Sequence, residues 1–347
     1  MNPSPLAPFP LPIAVSLGDP AGVGPELLAA AWATRRDTGL MPFFVVGSRA
    51  VIEAAGRLRG IPVPVRVIAA PHEAMAVFGE ALPVLDLGDA DYTPGIPGEP
   101  GAQLALRSLE MATGLVRGGA AAALMTAPVS KVRLSKIGFA YPGQTEFVAQ
   151  ACGVMAKNAV MMLAGPSLRV VPVTVHVPLG EVPGMLTCEL IRNRAAIAAM
   201  ALVRDFGIAR PRLAVTGLNP HAGEDGRMGH EDADTIAPAV EALRATGIDA
   251  RGPLPADTMF HAEARRSYDA AICMYHDQAL IPMKALDFDE GVNVTLGLPM
   301  VRTSPDHGTA FDIAGKGGAA KGGARANATI AALRMAAEIA ARRALAA

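Results

Sequence analysis

Histidine is scarce in this chain, with 7 residues among 347, and three of them follow apolar runs of strand length. His176 follows VVPVTV, His221 follows RLAVTGLNP and His276 follows AAICMY. In a parallel α/β sheet, the carboxyl ends of the strands open onto the crevice where ligands bind. Three imidazoles at that edge can hold one divalent ion and leave positions open for substrate. A lone histidine is more often a hydrogen-bonded core residue, so the shared context is what favours a metal site.

Carboxylates lie close to these histidines in the sequence. Asp277 adjoins His276, Glu224 and Asp225 come shortly after the middle histidine, and Asp257 lies in LPADTMF. Each is a candidate to hold the second ring nitrogen of a ligand imidazole or to add charge near a metal. A solvated loop acid is an equally good interpretation of Glu224 and Asp225. Asp277 is the stronger candidate because an apolar stretch follows it.

A second set of residues suits an anion. Lys284, Asn293 and Arg302 fall within one mainly apolar stretch of a chain that is only 18% charged. Arginine offers bidentate contact to phosphate or carboxylate, lysine a point charge and asparagine an adaptable amide. Taken singly, each is more often a surface residue. Taken together, beside the histidine runs, they predict a binding site for an anionic substrate.

The elements that position these residues follow from the alternation of apolar runs with Ala/Leu-rich stretches. Hydrophobic residues make up 51% of the chain and aromatic ones 4%, which suits buried parallel strands covered by helices. We therefore predict an α/β fold with mostly parallel sheets, and the length favours two domains. The predicted strands are 13–17, 43–46, 65–68, 122–125, 170–175, 213–216, 270–274 and 292–296. The predicted helices are 25–33, 102–117, 188–206, 234–245 and 326–345.

Charge and cysteine content exclude several classes of function. The net charge is −1 and no long basic run occurs, which argues against nucleic acid and an anionic membrane surface as partners. The three cysteines are widely spaced and form no CxxC pair, as is typical of a reducing compartment. No apolar segment approaches the ~20 residues that span a bilayer. We expect a cytoplasmic enzyme without a membrane partner.

Seven motifs in order along the chain resemble the PdxA family, the 4-hydroxythreonine-4-phosphate dehydrogenases of vitamin B6 biosynthesis. Many linked motifs are far more specific than any single one, and together they extend over nearly the whole chain. The motifs are GDPAGVGPE at 18–26, TAPVSK at 126–131, PGQTEF at 142–147, VHVPL at 175–179, GLNPHAGE at 217–224, MYHDQAL at 274–280 and VNVTLGLPMVRTSPDHGTAFDIAG at 292–315.

The resemblance implies a two-domain α/β/α fold like that of the isocitrate and isopropylmalate dehydrogenases. One domain would combine residues 1–127 with 305–347, and the other would comprise 128–304, with the metal histidines and the dimer contacts. The family implies a homodimer whose active site is shared between subunits, so that the three metal histidines do not all come from one chain. It also implies NAD or NADP as cofactor, together with a divalent metal such as Zn, Mg or Co.

Residue by residue, the resemblance assigns metal binding to the three histidines already named. It assigns binding of the phosphorylated substrate to Gln144, Thr145, Lys284, Asn293 and Arg302. Lys284 and Asp277 are the predicted catalytic residues, and Lys284 is expected to move a proton.

One position departs from the family pattern, because this chain has Gln144 where the family usually has histidine. Glutamine donates hydrogen bonds but carries no charge and relays no proton. The change keeps paralogous substrates, 4-phosphothreonate and phosphoerythronate, as alternatives. More distant alternatives are a metal-dependent hydrolase of a phosphorylated small molecule, which would activate water with the same histidines, and a non-catalytic binding protein.

Overall fold

The computed structural model describes residues 11–61, 63–88, 90, 92–318 and 322–346. Strands and helices alternate along nearly the whole of this part of the chain. The strands found there are β1 (Ile13–Ser16), β2 (Phe43–Gly47), β3 (Val65–Val67), β4 (Leu82–Asp86), β5 (Ala123–Thr126), β6 (Val160–Ala164), β7 (Arg169–Pro172), β8 (Arg212–Thr216), β9 (Asp249–Leu254), β10 (Ala270–Cys273), β11 (Val292–Leu296) and β12 (Arg302–Pro305).

The helices range from single turns to long helices that cover the sheets. Pro25 in the first turn of one and Ser48 and Thr187 as N-caps of two others are typical helix-start residues. The helices found in the described residues are α1 (Gly24–Ala33), α2 (Arg35–Thr38), α3 (Arg49–Arg59), α4 (Ala74–Val77), α5 (Glu99–Arg117), α6 (Lys131–Lys136), α7 (Gln144–Ala151), α8 (Val182–Met185), α9 (Cys188–Arg204), α10 (Ala237–Ala245), α11 (Ala262–Arg265), α12 (His276–Asp287) and α13 (Asn327–Ala346). None of them is both long enough and apolar enough to cross a lipid bilayer.

The described chain divides into two compact units. The first is formed by the described residues of Met1–Val154 and Leu298–Leu345, and the second is Met155–Gly297. In the first unit the strand order is β3-β4-β2-β1-β5-β12, and every pairing is parallel. The inner strands β1, β2 and β5 are buried along their whole length, as expected of a parallel sheet covered by helices on both faces.

In the second unit the strand order is β11-β6-β7-β10-β8-β9. The pairs β11/β6 and β6/β7 are antiparallel, whereas β7/β10, β10/β8 and β8/β9 are parallel. The carboxyl ends of β7, β10 and β8 therefore lie next to one another at one edge, and each precedes one of the three candidate histidines. The predicted α/β class with mostly parallel sheets is confirmed.

Two of the predicted strands that precede candidate histidines extend too far. β7 ends at Pro172 and β10 at Cys273, so that His176 lies in a loop and His276 begins α12. Beyond the strands, hydrogen bonds still run from Val173 N to Cys273 O at 2.7 Å and from Thr174 N to Met274 O at 3.3 Å. The apolar runs continue past the ladder because the segments remain packed beside each other.

Candidate active site

Two of the three candidate metal ligands lie beside each other in the second unit. The ring centroids of His176 and His276 are 5.6 Å apart. Two imidazoles that share one tetrahedral ion through metal–nitrogen bonds of about 2.0–2.1 Å have centroids about 5 Å apart. Both rings line a cavity of about 220 Å³, together with Thr174 and Tyr275. The separation and the shared cavity fit a pair of metal ligands.

The neighbouring carboxylate engages one of these rings. His276 Nδ1 lies 2.7 Å from Asp277 Oδ1. An ionised carboxylate accepts hydrogen bonds, so Nδ1 carries the proton and, in the neutral ring, Nε2 keeps a lone pair that is suited to an ion. This is the carboxylate–histidine arrangement that orients metal-binding imidazoles in proteins. The Asp277 side chain is 69% exposed, so the contact lies at the mouth of the site and not in the core.

Backbone conformation singles out two of the histidines. His176 has φ = 54° and His221 has φ = 53°, in the left-handed region that non-glycine residues rarely adopt. A residue in this conformation destabilises the folded state by about 1–3 kcal/mol. The conformation persists where the surrounding structure imposes it, typically at active sites. The segment around His221 repeats this conformation at Ala222, Glu224 and Asp225. The strain in this loop favours a functional role for it.

A buried carboxylate that sequence reasoning did not identify holds this loop. Asp232 is 2% exposed and lies in a π-helical turn, Asp232–Ile236, before α10. It accepts hydrogen bonds from Leu218 N at 2.9 Å, Asn219 N at 3.2 Å and Asn219 Nδ2 at 2.9 Å. A Cβ at Gly217 would lie 2.5 Å from its Oδ1, so the loop requires glycine there. Asn219 belongs to a recognised motif, but nothing in the local sequence indicates Asp232.

The third histidine does not join the other two within this chain. His221 is exposed, and among the described residues no group of three or more His, Cys, Asp or Glu side chains is arranged to hold a metal ion. Convergence of all three imidazoles in one chain, which the strand ends alone predict, is therefore not observed. The assignment of the three histidines as ligands stays a prediction.

In the first unit, Arg302 is the centre of a polar cluster. It lies at the start of β12 and is 3% exposed. Its Nη2 donates to Thr126 Oγ1 at 2.7 Å and its Nη1 to Thr145 Oγ1 at 3.2 Å. Burial lowers the pKa of Arg302 to about 10, while Glu146 acts in the opposite direction. The guanidinium remains protonated at neutral pH, and a buried cation of this kind is stabilised by a bound anion.

The N-terminus of α7 lies at the same cluster. Gln144 and Thr145 are its first two residues, and Gly143 before them provides no side-chain cap. Gln144 Nε2 donates to Ala127 O at 3.3 Å, whereas its buried Oε1 has no hydrogen-bond partner. Unpaired N–H groups at a helix N-terminus attract phosphate and carboxylate groups. The structure thus brings Gln144, Thr145 and Arg302 together.

Lysine 131 adds a second cation, which sequence reasoning missed. Its Nζ lies 3.6 Å from the position that a Cβ on Gly143 would occupy. The sequence did offer a sign of this residue, because Lys131 ends TAPVSK, one of the motifs that carry the family resemblance.

The two remaining candidates belong to the second unit. Lys284 lies on α12, and its Nζ is 5.3 Å from the ring centroid of Phe288. Asn293 lies on β11, and its buried Oδ1 has no hydrogen-bond partner. A buried acceptor without a protein donor usually faces a ligand or an ordered water.

Comparison with known proteins identifies close relatives over almost the whole length. Residues 40–336 match the family described as pyridoxal phosphate biosynthetic protein PdxA. The chain is 60% identical to the 4-hydroxythreonine-4-phosphate dehydrogenase of Erythrobacter litoralis, over 96% of this chain and 98% of that protein. It is 53% identical to the enzyme of the same name from Zymomonas mobilis, over 94% and 95%. A crystal structure of the Klebsiella pneumoniae enzyme of that name superposes with a TM-score of 0.82 at 38% identity, over 96% and 98% of the two chains.

Proposed function

The chain belongs to the PdxA family of pyridoxal phosphate biosynthetic proteins, and from this we propose a dehydrogenase that oxidises the C3 hydroxyl of 4-phosphooxy-L-threonine with NAD⁺ or NADP⁺. The product is a β-keto acid, which loses CO₂ to give 3-amino-2-oxopropyl phosphate. The structural observation that carries the proposal is the buried Arg302 at the N-terminus of α7, since this arrangement suits a phosphate or carboxylate.

In this proposal His176, His221 and His276 hold a divalent ion such as Zn²⁺, Mg²⁺ or Co²⁺. Two contacts support that role: the spacing of the His176 and His276 rings, and the hydrogen bond between the Asp277 carboxylate and His276. When bound, such an ion supplies Lewis-acid polarisation of the substrate hydroxyl. Asp277 keeps the proton of the His276 ring on Nδ1, so that Nε2 is available to the ion. Neither side chain has to move during the reaction.

The substrate is oriented by Arg302 and Thr145, with Gln144 as a further donor. Arg302 supplies fixed N–H donors that need no reorganisation, because two hydroxyls already hold its guanidinium. Lys284 moves the proton of the C3 hydroxyl, and Asn293 donates to or accepts from the substrate through its buried amide. A bound nicotinamide would supply the hydride acceptor, and the residues of this chain would contribute placement.

We propose that the enzyme acts as a cytoplasmic homodimer with a shared active site. Large apolar side chains on α12, the helix that His276 begins, and at its C-cap Phe288 support a second copy at this surface. Their exposed fractions are 67% for Ile281, 40% for Leu286 and 70% for Phe288. Exposed large apolar side chains at a helix surface are candidates for burial against a second copy. The unpaired state of Cys152, Cys188 and Cys273 supports a reducing compartment.

A substrate panel tests the reaction. The purified protein is given phosphorylated threonine, threonate and erythronate stereoisomers with NAD⁺ or NADP⁺, and absorbance of the reduced nicotinamide is followed together with CO₂ release. We expect reduction with 4-phosphooxy-L-threonine and stoichiometric CO₂. Preference for 4-phosphothreonate or phosphoerythronate would favour the paralogous reaction. Release of inorganic phosphate without nicotinamide reduction would favour the hydrolase.

Restoring the family's usual residue by Gln144→His tests the departure at that position. We expect KM for 4-phosphooxy-L-threonine to change by roughly 2- to 10-fold, the size of one hydrogen bond, with kcat little affected. Gln144→Ala is the matched control, since it removes the donor without adding an ionisable ring. Steady-state kinetics with the substrate panel measure both effects. A switch in the preferred substrate on Gln144→His would mean that this position selects the substrate.

A further inference from the structure

One side chain links the segments that carry two of the histidines. Gln278 lies in the first turn of α12, two residues after His276. Its Oε1 accepts hydrogen bonds from Met274 N and from Thr216 Oγ1, both at 2.7 Å. Its Nε2 donates to Gly217 O at 2.8 Å. Gln278 therefore joins the end of β10 to the end of β8, where the loop to His221 begins.

The connection continues to the third histidine segment. Thr174, which follows β7 and is 4% exposed, donates through Oγ1 to Met274 O at 2.8 Å. Thr216 at the end of β8 is fully buried. Hydrogen bonds thus run in one row across the carboxyl ends of β7, β10 and β8. We call this row the strand-end strap, formed by Thr174, the Met274 backbone, Gln278 and Thr216.

The strap acts at the points where the histidine segments leave the sheet. Tyr275, the N-cap of α12, provides no side-chain cap, and Gln278 at the third helical position reaches back to the backbone before it, in a variant of the capping box. On the β8 side, the loop leads to His221 in its left-handed conformation. A strained backbone needs fixed ends to hold its geometry. The bonds at Gly217 and Thr216 fix the first of these ends.

We propose that Gln278 is a positioning residue of the metal site: through the strand-end strap it fixes the His276 turn beside the His176 segment, and it fixes the start of the His221 loop in the same protomer. The inference rests on the proposed function, because it assumes that these histidines bind a divalent ion. Gln278 itself touches neither ion nor substrate in this role. Loss of residues that orient metal ligands typically lowers metal affinity by 10- to 100-fold. We expect a loss of metal affinity of the same size when Gln278 is replaced, while the protein still folds.

The test uses the full-length, chelator-treated protein and Co²⁺ as the probe. Calorimetric titration gives the Kd, and the visible absorption of bound Co²⁺ reports its coordination geometry. For Gln278→Leu, which removes all three bonds, we expect Kd to rise roughly 10- to 100-fold and the Co²⁺ spectrum to change. For Thr216→Val, which removes one bond and keeps the branched shape, we expect a smaller change in the same direction.

A bridging hydroxyl in the first unit provides a matched control. Ser108 Oγ accepts from Leu17 N at 2.8 Å and donates to Val46 O at 2.5 Å, and so links β1 to β2 without any histidine nearby in sequence. Ser108→Ala is expected to lower the melting temperature and to leave the Co²⁺ Kd and spectrum at wild-type values. This control separates loss of stability from loss of ligand placement.

The outcomes separate this inference from the proposed function. If the wild-type protein binds Co²⁺ and His276→Ala does not, the metal role stands. If Gln278→Leu then shows the wild-type Kd and spectrum, the strap has no positioning role and the inference is wrong. If Gln278→Leu does not fold, Thr216→Val decides in the same way. A wild-type protein that takes up no Co²⁺ overturns both the metal role and the inference.

Discussion

Replacing His221 with alanine is expected to abolish turnover and metal uptake while the fold remains intact. Lewis-acid activation is worth several kcal/mol, so its loss should lower kcat by about 10³-fold or more. The fold should tolerate the change because His221 is exposed. Alanine is also acceptable at this backbone conformation, since the adjacent Ala222 already has φ = 53°. We expect a change in unfolding free energy within about 0.5 kcal/mol.

The measurement compares metal content, kcat and thermal unfolding of the variant with those of the wild type. His72→Ala is the control, because His72 is an exposed histidine in the first unit, away from the predicted ligand set. It should leave all three quantities unchanged. Full activity of chelator-treated His221→Ala protein would show that His221 is not a metal ligand.

Much of the fold follows from local patterns, because buried parallel strands are continuous apolar runs. FFVV at the start of β2 and AAIC in β10 are of this kind, and both lie where they were predicted. β9 was not predicted, since its sequence DARGPL contains glycine, proline and two charged residues. As an edge strand it pairs on one side with β8, so residues that would disrupt a central strand are tolerated. The domain limits at 127/128 and 304/305 stay a prediction.

The candidate site shows a similar division. The sequence could place three histidines after strands and single out Arg302 as a cation in an apolar stretch. It could not reveal that Asp232 holds the His221 loop or that Gln278 connects two strand ends. These contacts join residues that are brought together by the sheet, and no local spacing encodes them. The left-handed backbone of His176 is equally invisible in the sequence, because strain appears only once the chain has folded.

Arg302→Met is expected to lower kcat/KM by about 10²- to 10⁴-fold without loss of stability. Charge-assisted hydrogen bonds contribute about 1.5–3 kcal/mol each, and the guanidinium can make two to a phosphate or carboxylate. Burial lowers the pKa of Arg302, so the folded protein disfavours its charged form, and the hydroxyls of Thr126 and Thr145 that it contacts are neutral. A buried charge carries a desolvation cost that an apolar side chain of similar length does not. Arg302→Lys should recover part of the activity, because it restores the charge but not the planar fork.

A second buried arginine gives the opposite expectation and serves as the control. Arg59 lies 3.6 Å from the buried carboxylate of Glu26 and donates to the carbonyls of Gly317 and Ala324. Arg59→Met leaves Glu26 buried without its cation, which should destabilise the protein by about 3–5 kcal/mol. The folded fraction should keep its kcat/KM, since Arg59 has no assigned contact with substrate. Steady-state kinetics and denaturant unfolding of both variants measure the contrast. If Arg302→Met instead behaved like Arg59→Met, losing stability and keeping kcat/KM, Arg302 would be a structural residue and the anion site would lie elsewhere.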